Sequence, residues 1–212
     1  MDDVNAAIRD RFTQRADTYD DAIMHVQLSR AVASFIGDPG EEDVLDIATG
    51  TGLVLRALRD QNPDAAFSMT GVDLTLRMLD VARGYLPEAT LIEADAASLP
   101  LADRSFDLVT CVCGLHLISD VTATVSEWAR ALRPGGRAVT ATYTYFDGEN
   151  HYGSDQEAAA ECQKGLPADR HSRFDTLEKL KAAIEPTGFR LNRTEDWTDG
   201  GDVVVICEFV RI

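Results

Sequence analysis

Three aspartates stand at or near the ends of short apolar runs, the places where α/β proteins present ligand-binding side chains. Asp46 is the next-to-last residue of the first run, and Asp73 and Asp95 are the last residues of the second and third. Because ligands bind beyond the carboxyl ends of the strands in open α/β sheets, we expect the three carboxylates to face one cleft. A carboxylate attracts cations, repels phosphates and accepts strong hydrogen bonds from hydroxyl groups, so the expected ligand is cationic or hydroxylated.

A turn of small residues follows the first apolar run. Gly50 and Gly52 have no Cβ, so the backbone can turn sharply there and a ligand can lie against it. Before the turn, Asp43–Ile47 predicts a strand that is buried on both faces, and after it Leu53–Arg59 has the apolar spacing of a helix. A strand, a tight turn and a helix in this order are typical of a mononucleotide-binding βαβ unit.

The spacing of the glycines separates this turn from two other nucleotide-binding patterns. The dinucleotide pattern G-x-G-x-x-G would need its third glycine at Leu55, and no lysine follows the glycines as a P-loop requires. Asp73 lies roughly 20 residues beyond Gly52, where doubly wound folds place an acid on ribose hydroxyls. The residues therefore favour a ligand that contains ribose but carries no phosphate at the turn.

The composition fits one α/β domain that acts on a small molecule. The chain has 212 residues and a formal net charge of −16, and such a surface repels nucleic acids and anionic membranes. It contains no apolar stretch of about 18 residues, and the acidic start Met1–Val4 is unlike a signal peptide. The cysteines and histidines show no metal-binding spacing, so we expect reduced thiols, no bound metal and a cytoplasmic protein. The oligomeric state stays open, a homodimer included.

The string D-x-A-x-G-T-G, from Asp46 to Gly52, resembles motif I of class I S-adenosylmethionine-dependent methyltransferases. Its alanine and G-T-G are most similar to the branch that includes the ubiquinone and menaquinone C-methyltransferases. Residues Leu99–Val109 resemble that branch's L-P-[FL]-x-D-x-S-F-D-x-V string, and Leu132–Gly136 resembles its L-[KR]-P-G-G turn. The resemblance implies a doubly wound, three-layer Rossmann-like α/β fold, with a seven-stranded, mostly parallel sheet and an antiparallel C-terminal strand.

The same resemblance implies that S-adenosyl-L-methionine is the cofactor. Asp46 and the backbone of Ala48–Gly52 would hold its amino-acid end, and Asp73 its ribose. Asp95 and the N–H of Ala96 would recognise adenine, which apolar residues after Asp73 would flank. The implied cofactor-binding residues are Tyr19, Asp46, Ala48, Thr49, Gly50, Gly52, Asp73, Leu74, Met78, Asp95, Ala96 and Val112.

His116 is the candidate catalytic base. It follows the fourth predicted strand, Asp107–Cys113, whose carboxyl end adjoins the first strand at the switch point, so we expect it near the sulfonium. A histidine can take up a proton near neutral pH. The segment Cys113–Asp120 resembles the quinone branch's F-G-L-R-N-V-x-D, but Cys113, His116 and Leu117 replace its phenylalanine, arginine and asparagine. These differences leave the acceptor, and the atom that would be methylated, open.

We expect a single domain with four consecutive parts. They are an N-terminal helical lid (1–40), a cofactor-binding core (41–145), a substrate-side insertion with a helix near Asp155–Lys164 (146–174), and a C-terminal helix with a strand pair (175–212). Asp175 is the expected N-cap of the last helix. Cys111 and Cys113 are one residue apart on a predicted strand, so we expect both to face the same side of the sheet.

Two other functions stay open at this point. A methyltransferase-like protein could bind the cofactor without transferring a methyl group, or catalyse another reaction, because a fold does not fix the chemistry. A nicotinamide-dependent oxidoreductase is disfavoured by Leu55 and by the absence of a Tyr-x-x-x-Lys pair from the sequence.

Overall fold

The structure is a computed structural model that describes residues 2–145, 169–170 and 172–212. The predicted helix near Asp155–Lys164 and most of the predicted insertion lie outside these residues. The described chain contains seven strands and six α-helices, with 3₁₀ helices at Ala16–Asp21 and Glu185–Thr187.

A seven-stranded sheet forms the centre of the described chain. Its strands are β1 (Asp43–Ile47), β2 (Ser68–Asp73), β3 (Thr90–Glu93), β4 (Phe106–Val112), β5 (Leu132–Tyr145), β6 (Phe189–Thr198) and β7 (Val203–Arg211). Their order across the sheet is β3-β2-β1-β4-β5-β7-β6. Neighbours from β3 to β5 are parallel, whereas β7 is antiparallel to both β5 and β6. The predicted Rossmann-like class, with its antiparallel C-terminal strand, is confirmed.

Helices cover both faces of this sheet. They are α1 (Asp2–Arg15), α2 (Ile23–Ile36), α3 (Leu53–Gln61), α4 (Leu76–Tyr85), α5 (Val121–Ala131) and α6 (Leu177–Ile184). One apolar core joins α2 and α3 to residues such as Val44, and the other joins α5 and α6 to residues such as Leu45. Val44 and Leu45 fall in different cores because successive strand residues point to opposite faces. β1 is thus buried on both faces, as its apolar sequence predicts.

The strands that follow β1 in the chain lie on both of its sides: β2 and β3 on one side, and β4 and β5 on the other. β1 pairs with β2 on one side and with β4 on the other, so the order of strands reverses between β1 and β4. Crevices at such switch points, outside the carboxyl ends of the strands, are the usual ligand sites of doubly wound folds. Asp46 and the glycine turn lie at this point of the sheet.

The N-terminal helices are fastened to the rest of the domain by polar contacts. The side chain of Arg9 on α1 donates from Nε to the backbone oxygen of Leu74 at 3.2 Å. Asp20, in the 3₁₀ helix, accepts hydrogen bonds from Thr51 Oγ1 at 2.6 Å and from Arg56 Nη1 at 2.5 Å. The break between α1 and α2 coincides with the polar cluster of the sequence, and it brings the N-terminal segment against the glycine turn.

Two local predictions are wrong. The N-cap of α6 is Thr176, whose hydroxyl accepts from the N–H of Lys179 at 3.3 Å, whereas Asp175 forms an ion pair with the Lys179 ammonium. Cys111 and Cys113 pack toward opposite cores. Cys113 lies just beyond β4 and has a φ of 53°, and this left-handed conformation ends the alternation on which the prediction depended.

The predicted turn at Arg133–Gly136 is an interruption within β5. Phe106 pairs with Leu132, but Leu108 pairs with Arg137, so β5 holds extra residues between these two pairs. Gly135 has a φ of 78° in this stretch, which suits a bulge. The glycines therefore form a bulge near the start of β5, where the sequence indicated a connection between a helix and a strand.

Within the described chain, no helix is both long and apolar enough to span a bilayer, and no cluster of metal-ligating side chains occurs. Cys111, Cys113 and Cys207 are free thiols. Burial raises the pKa of the Cys113 thiol to about 12, against the opposing effect of a hydrogen bond with Tyr143, so this thiol is protonated at neutral pH.

Candidate functional site

A cleft of about 880 Å³, including its open mouth, lies at the carboxyl ends of the strands next to the switch point. Residues of α1 form one of its walls, so the cleft lies between the N-terminal segment and the sheet. Of the predicted cofactor-binding residues, those that line it are Tyr19, Ala48, Gly50, Asp73, Leu74, Met78, Asp95, Ala96 and Val112.

Asp73 connects the glycine turn to the start of α4. Its Oδ2 accepts a hydrogen bond from the N–H of Gly50 at 2.8 Å, and its Oδ1 accepts from the N–H of Thr75 at 2.8 Å. Burial raises the pKa of Asp73, while these backbone hydrogen bonds oppose the shift. Each carboxylate oxygen has two lone pairs, so both can still accept from hydroxyl groups of a ligand.

Asp95 lies beyond the end of β3 and bonds to two separate parts of the chain. Its Oδ1 accepts from the N–H of Ala97 at 2.9 Å, and its Oδ2 accepts from Nδ2 of Asn5 at 2.8 Å. Asn5 belongs to α1 and lines the cleft, and its Oδ1 accepts from the hydroxyl of Ser119 at 3.4 Å. No sequence pattern indicated Asn5, because it precedes Asp95 by 90 residues and belongs to no recognisable string.

Asp46 lies in a smaller side cavity that shares Tyr19, Ala48 and Gly50 with the cleft. The side chain is buried, and Oδ1 accepts from Thr110 Oγ1 at 2.6 Å. Among the described residues, Oδ2 meets the geometric criteria for a hydrogen bond with no partner, although the nearby Thr49 hydroxyl acts to lower the pKa. Burial is the dominant influence and raises the pKa of Asp46 to about 6.

The backbone at the switch point is in an uncommon conformation. Ala48 and Cys113, at the carboxyl ends of β1 and β4, have φ values of 54° and 53°. A Cβ at Gly114 would lie 2.7 Å from the Cβ of Ala48, so only glycine allows the two strand ends to approach this closely. Such conformations cost about 1–3 kcal/mol each and cluster at ligand sites. At Gly50 the space that a Cβ would occupy is open.

Tyr19 lies between the cleft and the side cavity and lines both. Its ring is stacked on His25 at a centroid distance of 4.7 Å and meets the ring of Phe12 edge-on at 6.2 Å. Burial raises the pKa of Tyr19, so its hydroxyl stays protonated and can donate a hydrogen bond at neutral pH. The N-terminal segment thus brings an aromatic ring with a polar tip to the junction of the two cavities.

Among the predicted site residues, Gly52 and His116 are absent from the described lining of both cavities. His116 is buried beyond the end of β4, where its ring meets that of Tyr143 edge-on at a centroid distance of 5.6 Å. Gly52 is the N-cap of α3 with a φ of 80°, and a Cβ there would lie 2.7 Å from Leu86 Cδ1. Its position therefore serves the turn and the packing of α3.

The charged side chains that line the two cavities are carboxylates. They are Asp46, Asp73, Asp95 and Asp120, and no lysine or arginine occurs in the described lining. A phosphate would be repelled here, whereas a ligand with positive charge and hydrogen-bond donors would be attracted. The buried, unpaired oxygen of Asp46 in particular fits a cationic group, because such a group would supply its missing partner.

Comparison with known proteins agrees with this geometry. Residues 45–140 match the model of the family Methyltransf_11, described as a methyltransferase domain. This part of the chain is therefore similar to a methyltransferase domain. The match extends from β1, through the glycine turn and the aspartates of the cleft, to β5.

Similar curated proteins carry the name demethylmenaquinone methyltransferase. The chain is 37% identical over 116 residues to a demethylmenaquinone methyltransferase of Thermotoga maritima, which covers 55% of this chain and 50% of that protein. It is 32% identical over 143 residues to a protein of the same name from Renibacterium salmoninarum, covering 66% of this chain and 59% of that protein. The chain thus spans about half of the length of these curated relatives. The resemblance to this branch is confirmed.

Solved structures share the fold of this chain. An S-adenosylmethionine-dependent methyltransferase from Aquifex aeolicus superposes with a TM-score of 0.69 at 16% identity, over 92% of this chain and 97% of that one. A structure from Mesorhizobium loti with the same description gives a TM-score of 0.63 at 21% identity, over 85% of this chain and 96% of that one. At these identities the superpositions establish the architecture alone.

Proposed function

We propose that this protein transfers a methyl group from S-adenosyl-L-methionine to a small-molecule acceptor. The observation that carries the proposal is the meeting of Asp73, Asp95 and the glycine turn in one cleft, with the unpaired oxygen of Asp46 in the adjoining cavity. A nucleoside that bears a sulfonium and an ammonium group provides the hydroxyls, the amine and the positive charge that these carboxylates require.

Different residues of the chain would bind different parts of the cofactor. Asp46, Ala48, Thr49 and Gly50 would hold the amino-acid end, since they surround the side cavity. When bound, the cofactor supplies a methyl group made electrophilic by its sulfonium. The residues proposed to hold the ribose and the base, or to contact them, are Asp73, Asp95, Ala96, Leu74, Met78, Val112 and Tyr19.

The protein's contribution to the chemistry is the positioning of the acceptor in a dry site. Orientation of two reactants can remove about 7–11 kcal/mol of the barrier. Apolar side chains that include Ile8, Phe12 and Leu117 line the cleft and would help to exclude water once the ligands are bound. His116 is the proposed base for an acceptor that must lose a proton. It is buried beside Tyr143, outside the described lining of the two cavities, so this role requires the acceptor to extend toward β5.

The chemistry of the site favours a small acceptor over a nucleic acid. The net charge of −16 and the carboxylate lining repel phosphates. The two relatives are named for demethylmenaquinone, but Cys113, His116 and Leu117 differ from the quinone branch, so we leave the acceptor class open. The free thiols fit a reducing compartment, and we place the reaction in the cytoplasm. A homodimer stays an untested prediction.

The proposal is tested by incubating the protein with methyl-labelled cofactor and a set of small-molecule acceptors that includes quinols, phenols and amines. Mass spectrometry then follows the appearance of a methylated product together with S-adenosylhomocysteine. Asp73→Ala provides the matched control, since weaker binding of the cofactor should lower turnover at a subsaturating cofactor concentration. Tight binding of S-adenosylhomocysteine without turnover of any acceptor would instead support a cofactor-binding protein with another reaction.

A further inference from the structure

The hydrogen bond between Asn5 and Asp95 joins the N-terminal helix to the base end of the cleft. We propose that Asn5 is a positioning residue of the nucleobase site, through which closure of α1 over the cleft and binding of the base reinforce each other. This inference rests on the proposed function, since it takes Asp95 as the carboxylate that accepts from the base. Asn5 belongs to none of the motifs from which the site was predicted.

The hydrogen bonds fix the orientation of the Asn5 carboxamide. An ionised carboxylate can only accept, so the nitrogen of the amide must face Asp95, at 2.8 Å. The amide oxygen faces the hydroxyl of Ser119, which donates to it at 3.4 Å. Asn5 therefore lies between the end of β3 and the loop before α5, and it contacts both when α1 covers the cleft.

Other contacts of α1 fall on the same end of the cleft. Arg9, one turn further along the helix, donates to the backbone oxygen of Leu74, which lines the cleft next to Asp73. Ile8 and Phe12 also line the cleft. Hence α1 covers the part of the site proposed for the base and the ribose, and its position depends on residues that would contact the nucleoside.

The environment of the Asn5–Asp95 hydrogen bond couples the position of α1 to the binding of the nucleoside. Both side chains are only half-buried in the absence of a ligand, so water competes for the bond. A base in the cleft would exclude this water, and a bond between an amide and a carboxylate becomes stronger when the local dielectric falls. A bond that binding strengthens holds α1 more tightly, and by linkage a closed α1 raises the affinity for the nucleoside by the same factor.

The test measures binding of S-adenosylhomocysteine by calorimetry and hydrogen exchange of the α1 amides, with and without this ligand. We expect the ligand to increase the protection of α1 in the wild-type chain. Asn5→Ala should weaken binding about fivefold to tenfold, in the lower part of the range of coupling energies between two sites, and should remove most of the ligand-induced protection. Asn5→Asp should weaken binding further, with partial recovery at pH 5, because two carboxylates would then face each other.

Arg9→Ala is the matched control. It removes the bond from α1 to Leu74 but leaves the Asn5–Asp95 bond in place. We expect lower protection of α1 in the free protein, and the ligand should still increase this protection through the Asn5–Asp95 bond. Asn5→Ala with wild-type affinity and the wild-type gain in protection would overturn the inference while leaving the proposed function intact. Tighter binding by Asn5→Ala would overturn it as well, since Asn5 would then compete with the base. Failure of the wild-type chain to bind the ligand would count against the proposed function itself.

Discussion

Each aspartate of the site is held by partners that are distant in sequence. Asp73 bonds to the N–H of Gly50, Asp46 to Thr110 and Asp95 to Asn5, at sequence separations of 23, 64 and 90 residues. The sequence indicates the acids because each stands at or near the end of an apolar run and belongs to a recognisable string. It cannot indicate Asn5 or Thr110, because their contacts exist only after the elements have packed.

Asp73→Ala should weaken binding of S-adenosylhomocysteine by about 1.5–3 kcal/mol, the cost of losing a hydrogen bond to a charged group. It should also lower the melting temperature of the free protein, because the N–H groups of Gly50 and Thr75 lose their acceptor. Calorimetry and thermal unfolding measure the two effects. Asp80→Asn, an exposed position on α4 that pairs with Arg83, is the control and should change neither. Unchanged affinity in Asp73→Ala would contradict the ribose assignment.

Asp46→Asn should stabilise the free protein at neutral pH. The folded-state pKa is about 6 and the unfolded value about 3.9, so at pH 7.5 folding retains a buried charge at a cost of about 1–3 kcal/mol. Because this folded-state pKa is raised, the cost disappears as pH falls from 6 toward 4. Asparagine keeps an acceptor for Thr110 without the charge.

Urea unfolding of both proteins at pH 7.5 and pH 4 checks the Asp46 prediction. The variant should be the more stable at pH 7.5, and the difference should shrink toward zero at pH 4. Binding of S-adenosylhomocysteine should nonetheless weaken, because the ammonium group of the ligand loses its charged partner. A variant that is less stable than the wild type at both pH values would contradict the assignment of an uncompensated buried charge.

At the scale of elements, a prediction from the sequence agrees with the structure where neighbouring residues alone decide the backbone conformation. The strand, turn and helix from Asp43 to Gln61 follow from apolar spacing and two glycines. The cap of α6 shifts by one residue, since both Asp175 and Thr176 can cap and the chain path decides between them. The left-handed conformation of Cys113 arises from the contact between two strand ends, and no local signal in the sequence announces it.

Gly52→Ala should destabilise the βαβ unit by about 1–2 kcal/mol, because a φ of 80° strains any residue with a Cβ. The added Cβ would also press on Leu86, which is fully buried. Thermal or urea unfolding of the free protein measures the loss. Gly84→Ala is the matched control: the space around Gly84 within α4 is open, and this variant should be stabilised by about 0.5–1 kcal/mol. Equal stability of the two variants would contradict the helix-start function of Gly52.

At the scale of the whole molecule, the order of the strands in the sheet brings site residues together that are far apart in the sequence. The strand order reverses between β1 and β4, so the carboxyl ends of these strands meet at one crevice. The N-terminal helix α1 covers this crevice. The fold class and the meeting of Asp73 and Asp95 could be predicted, because both follow from topology. The acceptor could not, since it depends on side chains such as His116, whose contact with Tyr143 falls outside the strings that resemble the methyltransferase family.

The central claim is that the acidic cleft selects a sulfur-bearing nucleoside. Calorimetric titration of the wild-type chain with S-adenosylhomocysteine and, in parallel, with NAD tests it most directly. The carboxylates of Asp46, Asp73 and Asp95 predict saturable binding of S-adenosylhomocysteine and no binding of NAD, whose pyrophosphate they would repel. Binding of NAD without binding of S-adenosylhomocysteine would contradict the account.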